Sequence, residues 1–268
     1  MTDFVLVHGG WQGAWCWELL IGELAARGSR AVAVDLPAED PDAGAADYAA
    51  AVRTALPGRT PPPEPATSLL PPAKQRHATP EAEPSLPRGA EHGRSRREEG
   101  PPREGVVLVG HSLAGLTIPL VAATHPVRHL VYLAAMLPEP GRSVAEGDRQ
   151  TVRGLGRGQL RHDDGSTSWE PEAAVARLFP DSPPDRARWA AARLRRQHWR
   201  ILQETTPLTR WPDVPSTYLR CEDDAVIDAG WARRAVPERL GVEPVTLPGD
   251  HSPFLARPAE LADLLAAL

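Results

Sequence analysis

Residues 106–115, VVLVGHSLAG, constrain this chain more than any other stretch. Four apolar β-formers run straight into Gly110-His111-Ser112-Leu113-Ala114-Gly115, and an apolar helical run to Ala123 follows. A continuous apolar run that ends in glycine suits a parallel strand buried on both faces. The turn after it must be very tight if a helix is to start at once. Such a turn lifts the side chain at its apex clear of the backbone, and it leaves no room for side chains two residues before and two after. Here those places hold Gly110 and Ala114, with Gly115 next. The apex is Ser112, which this reading makes a nucleophile. Alanine at 114, where glycine is usual, is the smallest departure the turn can take.

The rest of the chain supplies a matching framework. FVLV (4–7) and RAVAVDLP (30–37) read as strands, as do VRHLVYLAA (127–135), STYLRC (216–221) and EPVTL (243–247). Helical spacing covers 15–27, 47–56, 229–239 and 258–268. With 106–109 this makes six strands separated mostly by helices, so the expected fold class is α/β: a doubly wound, mostly parallel sheet in one domain, 1–268. Ligands of such sheets bind beyond the carboxyl ends of the strands.

Two segments interrupt the alternation. Residues 57–103 hold 12 of the chain's 30 prolines among Glu, Arg, Ser and Gly, which is why the apolar share falls to 41%. A segment so poor in apolar periodicity buries too little surface to offset its ordering entropy, so it is expected to be a disordered insertion. Residues 138–210 show no strand signal and one helix, 184–202, and are expected to form a helical cap over the site. Trp169, Trp189 and Trp199, which fall within it, are each read as core residues, with pocket lining as the alternative. Asp163-Asp164-Gly165 is read as a turn, because the remaining ligands of a calcium loop are missing.

A net charge of −5 gives no basic footprint for nucleic acid. No leader pattern and no apolar run of spanning length are visible, so no membrane is expected and a cytoplasmic location is. Cys16 and Cys221 lack metal or CxxC spacing and are read as reduced, half-buried small hydrophobes. No cofactor or metal is expected. The expected partner is a small-molecule ester; a homodimer is left open.

A serine nucleophile needs a base and an acid that orients the base, and in this fold they follow in the order Ser, Asp or Glu, His. His251, in PGDHSPF after the last strand, fits the base. The acid should follow a late strand: Glu222, Asp223 and Asp224 all follow STYLRC, with Asp228 beyond, and the residues alone leave the choice open. The oxyanion hole needs backbone N–H groups aimed at the developing charge. Leu113, directly after the nucleophile, supplies one. Gly10, in the loop His8-Gly9-Gly10-Trp11, is the choice for the other, because glycine permits an unusual backbone and close approach. Gly9, Trp11 and His111 are assigned to contact with the substrate, although His111 is expected to point away from Ser112 across the turn.

Together FVLVHGGWQGAWCW, AVDLPA, VLVGHSLAG, YLAAMLPEPG, CEDDAVI and GDHSPF resemble the plant methylesterase and hydroxynitrile lyase branch of the α/β-hydrolase superfamily, most of all its bacterial hydrolase members. The resemblance covers nearly everything outside 57–103. It implies a helical cap, a small apolar cavity and no cofactor. It also implies Asp224 as the acid, because Cys221-Glu222-Asp223-Asp224 aligns with the family pattern Cys-Thr-x-Asp, from which it departs at Glu222, and oxyanion donors at Gly10 and Leu113. Lyase members resemble this chain but carry threonine at the place of Gly9 and lysine at that of Ser252. Lacking both, the chain looks like an ester hydrolase; a lyase and a non-catalytic small-molecule receptor are the alternatives.

Overall fold

Alternate residues of the central strands face opposite sides, and both sides are apolar. Val5 and Val7 enter one buried cluster while Phe4 and Leu6 enter the other, and Leu108 is set against Val107 and Val109 in the same way. A sheet made of such strands must be covered by helices on both faces. The computed structural model describes residues 2–56, 105–147, 151–152 and 158–268. Strands β1 (Asp3–Val7), β2 (Arg30–Val34), β3 (Val106–His111), β4 (Val127–Leu133), β7 (Ser216–Cys221) and β8 (Val245–Leu247) form one sheet in the order β2-β1-β3-β4-β7-β8. Every pairing in it is parallel. The expected doubly wound α/β sheet is therefore present.

Helices α2 (Ala45–Thr54), α3 (Ile118–Ala122) and α7 (Ala229–Leu240) cover one face. Helices α1 (Glu18–Ala26), α8 (Pro253–Ala256) and α9 (Pro258–Ala266) cover the other. The chain leaves β1 towards one edge and β3 towards the other, so the order reverses between them. Val7 stands level with Gly110 across that gap. The loop after β1 and the turn after β3 thus emerge side by side at the switch point, where α/β sheets bind ligands.

The expected helix after β3 is split. Ser112–Leu116 is a 3₁₀ turn, and α3 is only five residues long. The segment between β4 and β7 also departs from expectation. It contains a short hairpin, β5 (Gln159–Arg161) against β6 (Thr167–Trp169), followed by α4 (Pro171–Leu178), α5 (Pro184–Ala191) and α6 (Arg200–Gln203). Three-residue strands are too short to show a period. The single helix expected over 184–202 stops at Ala191 because the backbone beyond it is used elsewhere: Gln197 exchanges hydrogen bonds with Thr167 and the Arg195 N–H donates to the Trp11 carbonyl. Cys16 and Cys221 are free and fully buried, not half-buried. The proline-rich insertion expected over 57–103 lies outside the described residues. Among the described residues no helix is long and apolar enough to cross a membrane.

Candidate active site

Ser112 sits at φ 51°, in the left-handed region that residues with a Cβ avoid. Its neighbours explain how the strain is held. A Cβ added to Gly110 would stand 3.0 Å from the Ile118 side chain, and one on Gly115 would stand 2.0 Å from the Met136 carbonyl oxygen. The Met136 amide donates to the Ser112 carbonyl at 2.9 Å, so the segment that follows β4 buttresses the turn. Packing on both sides over-determines the strained backbone, as is common at functional sites.

His251 and Asp224 meet as a buried pair. His251 Nδ1 donates to Asp224 Oδ2 at 2.9 Å, and both residues are less than a tenth exposed. The other carboxylate oxygen, Oδ1, accepts from the amides of Val226 and Ile227 at 2.7 and 2.9 Å. The alternatives are turned elsewhere. Glu222 and Asp223 are exposed while their amides bond the carbonyls of Leu247 and Gly249, and Asp228 caps α7 through Trp231 N–H. With Nδ1 occupied as donor, Nε2 is the nitrogen left to act as a base. Ser112 Oγ makes no hydrogen bond among the described residues; in free enzymes such contacts are commonly long and tighten around substrate.

Ser112 opens onto a cavity of about 460 Å³. Its walls are mostly apolar, from Trp11, Leu113, Met136, Val144, Trp199 and Val226, with Thr151, Thr167 and Arg161 among the polar contributors. The volume suits a small organic molecule. Of the three residues assigned to substrate contact, Trp11 lines this cavity and Gly9 and His111 do not. His111 is almost wholly buried, its ring nitrogens 3.0 Å from Gln12 Oε1 and 2.9 Å from the His251 carbonyl, because the strand points it away from the apex serine. Burial, and then the nearby His251, push its pKa well below the usual histidine value. His8 is likewise buried, with a pKa pushed down to about 4 by burial; its Nδ1 donates to the Gly9 carbonyl and its Nε2 accepts from Leu36 N–H.

The loop after β1 separates its three amides. Gly9 N–H donates to Gln12 Oε1 at 3.1 Å and Trp11 N–H to Gln197 Oε1 at 3.2 Å, whereas Gly10 N–H has no partner among the described residues. Gly10 and Leu113 both line the cavity, and the amides at the start of a 3₁₀ turn have no acceptor within it. The reason for glycine here differs from expectation. Gly10 is not at positive φ, and a Cβ on it would meet Trp199 at an unstrained 3.4 Å. The crowded position is Gly9, where a Cβ would lie 2.8 Å from both Ser112 Cβ and His111 Nδ1, and the left-handed residue is Trp11, at φ 62°.

Of the three tryptophans read as core, Trp169 is buried, Trp189 packs edge-on against Trp15, and Trp199 lines the cavity and stacks edge-on with Trp11. Sequence reasoning missed Gln12, Thr167 and Gln197, polar residues buried at this site. Nothing in their local sequence signals it, since their partners are distant in the chain. Among the described residues no group of three or more His, Cys, Asp or Glu could hold a metal ion.

Residues 4–264 match the model of the alpha/beta hydrolase family. The chain belongs to that family. Among the hydrolase's curated relatives is "Probable esterase PIR7A" of Oryza sativa, 29% identical over 98% of this chain and 94% of that protein. Another is methyl jasmonate esterase 1 of Vitis vinifera, 25% identical over 98% of this chain and 94% of that protein. Among solved structures, a pyrethroid hydrolase from Sphingobium faniae superposes with a TM-score of 0.68 at 22% identity, covering 99% of this chain and 96% of that one. The resemblance to the methylesterase branch is thus met by relatives that span the whole hydrolase.

Proposed function

We propose that this hydrolase cleaves carboxylic esters of small organic acids through Ser112, His251 and Asp224. One observation carries the reading: the buried His251–Asp224 pair follows β8 and β7 at the carboxyl ends of the strands, where a strained Ser112 follows β3 and opens onto an apolar cavity, and the His251 carbonyl lies 2.9 Å from the ring of the adjacent His111. His251 Nε2 takes the hydroxyl proton as Ser112 Oγ attacks the ester carbonyl carbon, and Asp224 steadies the imidazolium. The N–H groups of Gly10 and Leu113 hold the oxyanion. As the intermediate collapses, the alcohol leaves with the proton from His251. A water molecule, deprotonated by His251, then attacks the acyl-enzyme and frees the acid. The names of the relatives, esterases in both curated cases, support an ester as the substrate class. The segment at 138–210, which supplies Thr167 and Trp199 to the cavity wall, serves as the cap that shapes it.

A hydroxynitrile lyase of the same branch would need threonine at position 9, where this backbone has no room for a Cβ. It would also need a lysine at position 252, and Ser252 is fully buried. The test is hydrolysis of p-nitrophenyl acetate and butyrate by the wild type and by Ser112→Ala. Turnover that disappears with the hydroxyl is the expected result. Undiminished turnover in Ser112→Ala would remove the nucleophile and the reading with it.

A further inference from the structure

Trp11 is gripped on three sides by the segment inserted between β4 and β7. Its amide donates to Gln197 Oε1 at 3.2 Å, its carbonyl accepts from Arg195 N–H at 2.6 Å, and its indole Nε1 donates to Thr167 Oγ1 at 2.9 Å. Gln197 is 1% exposed, and its own amide is committed: Nε2 donates to Tyr48 Oη on α2 at 2.8 Å and to the His198 carbonyl at 2.6 Å. The His198 carbonyl, which can only accept, fixes which end of the amide faces Trp11. The Gln197 backbone is pinned separately by its exchange with Thr167.

Gly10 lies between two such anchors. Gly9 before it is tied to Gln12, and Trp11 after it is tied to Gln197. Glycine supplies no stiffness of its own. Trp11 sits at φ 62°, a strained state for a residue with a Cβ, which persists only while its surroundings impose it. Without the Gln197 acceptor the hold on the Trp11 amide is lost while those on its carbonyl and indole remain; the peptide between Gly10 and Trp11 can then rotate, and the adjoining Gly9–Gly10 peptide, which carries the Gly10 N–H, shifts with it.

We infer that Gln197 is a positioning residue for the oxyanion hole: by accepting from the Trp11 amide, it holds the Gly10 N–H on the reacting carbonyl. The inserted segment therefore does more than wall the cavity, since it completes the geometry of the charge-stabilising donors. The inference rests on the ester-hydrolase reading.

The experiment measures two things in the wild type, Gln197→Met and Gln197→Ala. One is kcat and KM for p-nitrophenyl butyrate. The other is the rate at which an alkyl fluorophosphonate labels Ser112, a step in which the Oγ–P bond forms, fluoride leaves, and the hydroxyl proton passes to His251. Outright loss of one oxyanion donor costs about 10²–10³ in kcat, so misplacing one is expected to lower kcat and the labelling rate together by about 10- to 100-fold, with KM within about threefold. Wild-type values for both in Gln197→Met would overturn the inference, as would a loss confined to KM, which would mean a change of cavity shape alone. Should neither glutamine variant fold, Thr167→Val removes the hydroxyl that grips the Trp11 indole at nearly constant volume. It is expected to lower kcat in the same way but less, and an unchanged kcat overturns the inference. Failure of the underlying reading shows in the wild type alone, as absent ester turnover and absent labelling.

Discussion

Gly115 passes so near the carbonyl oxygen of Met136 that a Cβ built on it would stand 2.0 Å away. Both partners are backbone, so neither can swing aside. Gly115→Ala must therefore push the turn after β3 away from the segment that follows β4, and it breaks the Met136–Ser112 bond that braces the turn. Overpacking of this kind costs about 1–3 kcal/mol. The expected outcome is a stability loss of that size in denaturant unfolding, with ester turnover reduced far more than the fraction unfolded explains. Full activity in a folded Gly115→Ala protein would contradict the buttress.

Three consecutive acids follow β7, and the structure separates them by direction. Asp224 is turned inward onto His251 Nδ1, while Glu222 and Asp223 face solvent. In Asp224→Asn an amide replaces the acceptor and allows the wrong tautomer of His251. The expected loss is about 10⁴ in kcat, by analogy with the same change in a serine protease triad. Glu222→Ala and Asp223→Ala are expected to stay within about 0.5 kcal/mol of wild-type stability and to keep normal turnover. Steady-state kinetics on the three variants decides the assignment.

The acid range tests His8. Its pKa is held near 4 in the folded protein by burial, against about 6.5 unfolded. Between those values the unfolded chain binds a proton that the folded one does not, so stability falls as pH drops from about 6.5 to about 4 and is unaffected by His8 above that window. The full span is worth about 3 kcal/mol. His8→Asn is expected to be less stable at pH 7, having lost the bond from Leu36 N–H, but to show a flatter decline in acid. Urea unfolding at pH 7 and pH 4.5 measures both; an equal decline in the two proteins would assign the acid sensitivity to other groups.

What the sequence made legible follows from where backbone geometry leaves little choice. A strand running into a turn around Ser112 demands small residues at fixed offsets, and Gly110, Ala114 and Gly115 meet that demand locally. His251 could be placed by chain order against the last strand. The acid stayed open on the residues alone, because three carboxylates in a row differ only in which way each points, and that is settled by the amides of Val226 and Ile227. Gln12, Thr167 and Gln197 were invisible because their roles depend on partners brought close only by the fold. The split of the expected 184–202 helix has the same origin: local composition favours helix, but Trp11 and Thr167 claim the backbone at 195–197.

The two glycines after β1 give a prediction that runs opposite to the sequence reading. A methyl group at Gly10 meets only Trp199 at 3.4 Å, an ordinary van der Waals contact, and the backbone there is not left-handed. A methyl group at Gly9 meets Ser112 Cβ and His111 Nδ1 at 2.8 Å, and neither is the free end of a flexible chain. Relief of the second conflict must displace Ser112 or the β1 loop, and the His111 ring, seated between Gln12 and the His251 carbonyl, has nowhere to retreat. Gly10→Ala is therefore expected to keep kcat/KM within several-fold of wild type, since its N–H is unaltered. Gly9→Ala is expected to lose about 10²-fold or more, the scale reached when reacting groups are displaced by about 1 Å. Kinetics with p-nitrophenyl acetate compares them directly. The reverse order, with Gly10→Ala the more damaged, would place the tight approach at Gly10 and refute the geometry of this loop.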